Sequence, residues 1–340
     1  MNFEAAITVM RDFVARSPRR SLEARIVFKG QPWLWRHGSA DGVQSPVFEI
    51  GSVGKVFTTT LLALLAQRRQ VSLTDSVKRF YPQLPCAESI TLQQLAGHTS
   101  GLPRNTIGYC QLMRRGRELA EAFQPDDLIG FLRQLPPVLK GAGKARYSNV
   151  GMALLGRILG DVCGKSYGAA VDELLLQPLG MHDTHLDPER YDARRLMQGH
   201  DSRGRPVPPF VWRGMEAAGV WRSTGDDMMT FLRAQMGLCG QPWASLAERT
   251  SRPQARMARD TQIGLGWMLS VQDPWGHVAW HSGGTFGQHS MVAWALNRSA
   301  AVVLLTDRSP PWWHHLVPGR QLESLPQRLV AALGQEPATR

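Results

Sequence analysis

Apolar and polar positions alternate over residues 23–36, EARIVFKGQPWLWR, around Gly30 to Pro32. That period of two predicts a β-hairpin near the N-terminus. From 52 to about 67 the chain reads SVGKVFTTTLLALLAQ, apolar on nearly every side, which predicts a central buried helix. From roughly 70 to 240 the segments are mostly helical, broken by Pro and Gly at LPRNT, QLPPVLKGAGK and QPLGMHDT. Residues 263–270, 277–282, 289–296 and 300–306 then read as strands, the last being AAVVLLT, and an amphipathic helix fits 321–334. Strands at both ends with helices between them predict an α+β fold, with one antiparallel sheet built from the two termini and a helical lobe from the middle. A cleft between the lobes is expected, and the chain has no internal repeat.

Composition narrows the class. The 340 residues are 43% apolar and 20% charged, values of a folded protein with one large domain or two lobes sharing an interface. No run approaches the ~18 uninterrupted apolar residues of a membrane span. The start MNFEAAITVMRDFVARSPRR lacks the order of a secretion signal, so the expected location is the cytoplasm, or the periplasm if a leader has been trimmed. Cys86, Cys110, Cys163 and Cys239 lie far apart without a C-x-x-C, which predicts free thiols rather than a metal site or a disulfide framework. The net charge of +11 comes largely from arginines, clustered at Arg16 to Arg20, Arg114 to Arg117 and Arg194 to Arg195. No nucleic-acid module accompanies them, so they read as solvated surface with some attraction for anionic substrates.

One charge interrupts the buried helix. Lys55 follows Gly54 as in a phosphate-binding loop, but the first glycine of such a loop would be Glu49 and the following Ser or Thr is Val56. Ser52, three residues earlier, offers another reading, since the two side chains share one helical face. A lysine activates a serine only when neutral, and burial among Val56, Phe57, Leu61 and Leu62 together with the positive helix end favours that form. The helix start would also aim the Ser52 N–H at an oxyanion. An ordinary helix cap with a snorkelling lysine matches the same four residues. Two further motifs favour the chemical reading. Tyr147-Ser148-Asn149 stands at a loop-to-helix junction, and His281-Ser282-Gly283-Gly284 ends a strand in glycines that admit close backbone approach.

With S-x-x-K, Y-x-N and H-x-G in this order, the chain resembles the serine β-lactamase and penicillin-binding superfamily. It is most similar to the class C branch, which also holds D-Ala-D-Ala carboxypeptidases, D-aminopeptidases and family VIII carboxylesterases. SLTDSVKRFYPQLP, ITLQQLAGHTSGLP and STGDDMMTFL add to the likeness, which spans roughly residues 20–335. The resemblance implies a single β-lactamase-like domain over 1–340. Its α/β lobe would comprise about 1–75 and 241–340, and its mainly helical lobe about 76–240.

The resemblance also implies the roles. Ser52 would attack a carbonyl and form an acyl-enzyme, Lys55 would hold or accept its proton, and Tyr147 would act as base and then acid, with a pKa lowered by the lysine ammonium. Asn149 would orient Lys55 and bond the substrate amide. The N–H groups of Ser52 and Gly284 would form the oxyanion hole, His281, Ser282 and Gly283 would line the substrate strand, and Asn105 would contact the substrate amide. Outside the motifs, His98 in GHTSG reads from its neighbours as a residue that fixes a loop by hydrogen bonds. No cofactor and no metal are expected, and the expected partner is a small-molecule ester, amide or acyl compound. A lysine in the third motif would meet a substrate carboxylate, whereas His281 is mostly neutral at pH 7. The expected function is therefore an esterase or amidase with weak or no β-lactamase activity. The alternatives are a biosynthetic acyltransferase or cyclase with Trp212, Trp221 and Trp312-Trp313 lining an acyl pocket, a D-Ala-D-Ala carboxypeptidase or D-aminopeptidase, and a non-catalytic binding module.

Overall fold

The computed structural model describes residues 1–16, 21–272, 275–309 and 321–335. Eight strands form one antiparallel sheet: β1 (Ser21–Phe28), β2 (Gln31–Gly38), β5 (Ala255–Ala258), β6 (Thr261–Ile263), β7 (Met268–Gln272), β8 (Gly276–Gly284), β9 (His289–Ala295) and β10 (Ala300–Thr306). Their order is β2-β1-β10-β9-β8-β7-β6-β5, so strands from the two chain ends meet where β1 pairs with β10. A small two-stranded sheet joins β3 (Val47–Glu49) to β4 (Arg222–Thr224).

The sheet's two faces explain the all-apolar strands. In β9 and β10, Val292, Trp294, Ala301, Val303 and Leu305 enter the larger core with the central helix Lys55–Gln67. Met291, Ala293, Val302 and Leu304 point the opposite way, into a second core closed by helices Phe3–Arg16 and Leu325–Gly334. A strand covered on both faces loses the alternation that a half-buried strand shows. On the edge hairpin, the buried Glu23 carboxylate pairs with Arg25 and Arg36, at 2.6 and 2.7 Å.

Several expectations shift. The hairpin turns at Lys29 and Gly30, with φ of 49° and 79°. The strand expected over 263–270 breaks at Gly264, whose N–H bonds to Trp267 O, and β5 lies outside the predicted runs. The helix expected from 52 begins as a 3₁₀ turn, Gly51–Gly54, and becomes α-helical at Lys55. The expected terminal helix divides into a 3₁₀ turn, Leu322–Ser324, and helix Leu325–Gly334. The N-terminal helix, which lies outside the predicted elements, carries Ala6, Met10 and Phe13 on one buried face. No α-helix lies between Leu179 and Gly225, so the middle of the chain is less helical than its Pro and Gly breaks suggested. Among the described residues no helix is long and apolar enough to cross a membrane.

Candidate active site

Two backbone segments meet at Ser52. The 3₁₀ turn Gly51–Gly54 follows β3, and Ile50 at its head donates to Trp221 O at 3.0 Å while its own carbonyl accepts from Ser290 Oγ at 2.7 Å. The end of β8 lies directly against this turn. A Cβ on Gly51, where φ is +48°, would sit 2.8 Å from Gly284 N, and one on Gly283 would sit 2.0 Å from Ile50 O. Only glycine admits this approach, which brings the Ser52 and Gly284 backbones to the same place. Ser52 in this turn and Lys55 at the start of the α-helix lie three apart, which places their side chains on one face.

Lys55 is fully buried. Its Nζ lies 3.0 Å from Ser52 Oγ and donates to the Ala218 carbonyl. Burial, aided by the positive charge of Arg104, holds the lysine pKa well below its ordinary value. A hydroxyl network supports the Ala217–Ala218 segment from behind. Thr58 Oγ1 donates to Ala217 O at 3.1 Å and lies 2.7 Å from Tyr167 OH, which accepts from Trp221 Nε1 at 3.2 Å.

Tyr147 closes the other side. Ser148 caps helix Asn149–Val162 by accepting from Gly151 N at 2.9 Å, and its Oγ donates to Pro103 O at 2.7 Å. This capping fixes the residue just before it. The Tyr147 ring stands 4.9 Å from Lys55 Nζ and 4.6 Å, centre to centre, from the His98 ring. Its hydroxyl pKa is pushed up to about 12, because burial outweighs a hydrogen bond with Ser52 and the charge of Arg104. The expected lowered tyrosine is therefore corrected: the burial that would demand a neighbouring ammonium also discharges that ammonium.

The remaining motif residues divide. Asn149 Nδ2 donates to Asn105 Oδ1 at 2.7 Å instead of orienting Lys55, and Asn149 Oδ1 is buried without a protein partner. His281 is buried, and its Nδ1 lies 2.7 Å from Ser282 O. Burial first, then the Lys55 charge, bring the His281 pKa down to about 3, so the ring is neutral at pH 7. With Nδ1 donating to that carbonyl, Nε2 is an acceptor, buried and without a protein partner. Ser52, Tyr147, Asn149, Asn105, His281, Ser282 and Gly284 line one cleft of about 820 Å³, with Phe210, Trp212 and Phe286 on an aromatic wall. Gly283 does not line it and serves the close approach to Ile50.

Trp212 is thus a wall residue, while Trp221 is core and Trp312-Trp313 lie outside the described residues. Sequence reading passed over Arg104, Thr58 and Tyr167. Arg104 stood beside Asn105 in GLPRN, but nothing in the periodicity marked the two hydroxyls. His98 fixes its loop as expected, taking the Ser148 N–H on Nδ1 at 3.3 Å and the Arg146 N–H on its carbonyl at 2.7 Å. It also forms the floor beneath Tyr147.

A family model described as Beta-lactamase matches residues 8–321. The beta-lactamase of Providencia stuartii is 26% identical over 228 residues, covering 63% of this chain and 55% of that protein. The D-alanyl-D-alanine-carboxypeptidase/endopeptidase AmpH of Escherichia coli strain K12 is 26% identical over 289 residues, covering 78% of this chain and 71% of that protein. The chain therefore spans little more than half the length of the Providencia relative. The crystal structure of a class C beta lactamase from Rhodobacter sphaeroides matches with a TM-score of 0.80 at 22% identity, over 97% of this chain and 98% of that one. The chain belongs to the Beta-lactamase family and has the class C β-lactamase-like α+β fold that its three ordered motifs implied.

Proposed function

We propose that the protein is a serine hydrolase that cleaves esters and small amides through an acyl-enzyme on Ser52, with weak or no turnover of β-lactams. The observation that carries this reading is the buried Lys55 amine, held by Ala218 O and 3.0 Å from Ser52 Oγ. A neutral amine has a lone pair for the serine proton. Ser52 Oγ then bonds the substrate carbonyl carbon as its proton passes to Lys55. The resulting oxyanion accepts from the N–H groups of Ser52 and Gly284, each such donor being worth about 3 kcal/mol. As the intermediate collapses, Tyr147 gives its hydroxyl proton to the leaving alcohol or amine and regains one from the Lys55 ammonium. Water repeats the cycle to release the acid. A phenol with pKa near 12 is suited to passing a proton in this way, since it remains protonated between turnovers.

The preference for esters over lactams rests on His281. Neutral at pH 7 and presenting a lone pair at Nε2, it offers no charge to the carboxylate of a penicillin. The aromatic wall suits the apolar part of a small acyl group. Hydrolysis of p-nitrophenyl butyrate that disappears in Ser52→Ala is the expected result, with mass addition at Ser52 in trapped intermediates. Turnover surviving in Ser52→Ala would sink the assignment. A second reading, a D-peptidase, draws on the likeness to AmpH. Stable labelling of Ser52 by a fluorescent penicillin, with release of D-alanine from a D-Ala-D-Ala peptide, would favour it over the esterase.

A further inference from the structure

The charged side chains around the cleft differ in their partners. Of its acids, Asp201 is held by Arg205 at 2.7 Å and by the N–H groups of Arg203 and Arg205, and Glu323 lies 3.2 Å from His289 Nε2. Lys55 is enclosed behind Ser52, and the buried His281 adds no fixed charge on the β8 side. Arg104 is different. Its side chain is exposed on the cleft wall, and among the described residues no carboxylate oxygen lies within 4.0 Å of it. Its carbonyl accepts from Asn149 N at 2.8 Å, which ties its backbone to the start of the Asn149–Val162 helix. Its guanidinium carbon stands 5.0 Å from the centre of the Tyr147 ring. A guanidinium resting on an aromatic ring keeps its N–H edges for a planar anion.

We infer that Arg104 is the specificity-determining contact of the cleft, and that the preferred substrate is an ester or amide carrying a carboxylate that pairs with this guanidinium. The inference rests on the hydrolase reading for its chemistry, but not for its charge argument. Arg104 stands beside Tyr147, so the carboxylate would lie on the Tyr147 side of the cleft, next to the Asn105 and Asn149 amides, rather than along β8. An arginine edge matches a carboxylate with two parallel hydrogen bonds, which a lysine meets only as a point charge.

The experiment compares p-nitrophenyl butyrate with mono-p-nitrophenyl glutarate, a close analogue with a terminal carboxylate, in wild type, Arg104→Gln and Arg104→Lys. The ratio of kcat/KM for the anionic over the neutral ester should fall about tenfold in Arg104→Gln and only partly in Arg104→Lys. In wild type it should fall as salt rises. Any influence of Arg104 on Tyr147 or Lys55 acts on both esters and cancels in the ratio. An unchanged ratio in Arg104→Gln overturns the inference while leaving the hydrolase reading intact. Calorimetric binding of glutarate to Ser52→Ala, with and without Arg104→Gln, gives a test that needs no turnover. Binding that weakens about tenfold supports the carboxylate contact even if neither ester is hydrolysed. Absent or Arg104-independent binding overturns it.

Discussion

The support behind Lys55 invites one substitution, Thr58→Val, which keeps the buried shape and removes the hydroxyl. Thr58 Oγ1 bonds Ala217 O at 3.1 Å and Tyr167 OH at 2.7 Å, and the next carbonyl, Ala218 O, is the acceptor for Lys55 Nζ. Removing the hydroxyl leaves a buried carbonyl short of a donor, at a cost of about 1–3 kcal/mol. Spread over the unfolding entropy of 340 residues, that corresponds to roughly 1–4 °C in Tm. Catalysis should suffer separately. If the Ala217–Ala218 segment relaxes, the amine leaves its alignment with Ser52 Oγ, and a tenfold loss in kcat corresponds to about 1.4 kcal/mol of lost transition-state stabilisation. KM should hold, because Thr58 does not line the cleft. A looser Lys55 is better hydrated, so its pKa should climb toward the ordinary value and the acid limb of kcat should move to higher pH. Thr58→Ser should recover both kcat and the limb. A Tm that falls by the stated amount while kcat and the acid limb stay put would show that the network only stabilises the fold, and would refute its role in positioning Lys55.

Further outcomes can be checked on the same assay. Because Lys55 is depressed by burial, kcat/KM for p-nitrophenyl butyrate should rise with pH through a midpoint well below 10.5, and Tyr147 near 12 should leave the profile flat into the alkaline range; a midpoint near 10 would contradict this. The same shift has a stability sign: between the folded and unfolded lysine pKa values the unfolded chain binds more protons, so stability rises with pH across that window, and Lys55→Met should flatten the rise in denaturant titrations. Gly51→Ala places a Cβ 2.8 Å from Gly284 N at a φ of +48°, and should lower kcat by about a hundredfold by forcing β8 away from Ser52. Retention of full activity would mean that the close approach is dispensable. Glu49 Oε1 accepts from Phe210 N at 2.5 Å and lies 3.5 Å from the buried Arg222, which itself donates to Phe210 O at 2.7 Å. Glu49→Gln should cost about 1–3 kcal/mol by removing the carboxylate facing that guanidinium, which keeps its bonds to Leu186 O, Val220 O and Phe210 O, and should raise KM for bulky acyl esters as the Phe210 wall loosens. Unchanged melting and KM would count against this bracing.

Much of the fold was legible because its signals are local. The alternation over 23–36, the apolar runs that became β9 and β10, and the buried stretch after Ser52 follow from side-chain periods of two and 3.6, which the chain carries wherever it folds. The three motifs were legible for a similar reason, since a serine and lysine one turn apart, or a tyrosine ahead of a helix-capping serine, need only neighbours in sequence. The misreadings fell where a glycine or a distant partner decided the geometry. Gly264 ended a strand that its apolar neighbours would have extended, and Gly51 turned a helix start into a 3₁₀ turn against β8.

What only the tertiary structure decided is the aim of the site and the proton affinity of its tyrosine. Lys55 meets Ala218 across 163 positions of sequence, Thr58 meets Tyr167 across 109, and Asn149 turns to Asn105 across 44, so none of these bonds leaves a trace in a local pattern. Desolvation is likewise a property of the packed whole. The residues around Lys55, Tyr147 and His281 come from the helix, the Tyr147 loop and β8, and only their meeting lowers the lysine and histidine while raising the tyrosine. By itself the sequence determined which candidate groups the chain carries and in what order they occur along it. Burial, which is complete only after the segments pack, lowers Lys55 and His281 as their neighbours and residue types suggested, and raises Tyr147 against the expectation.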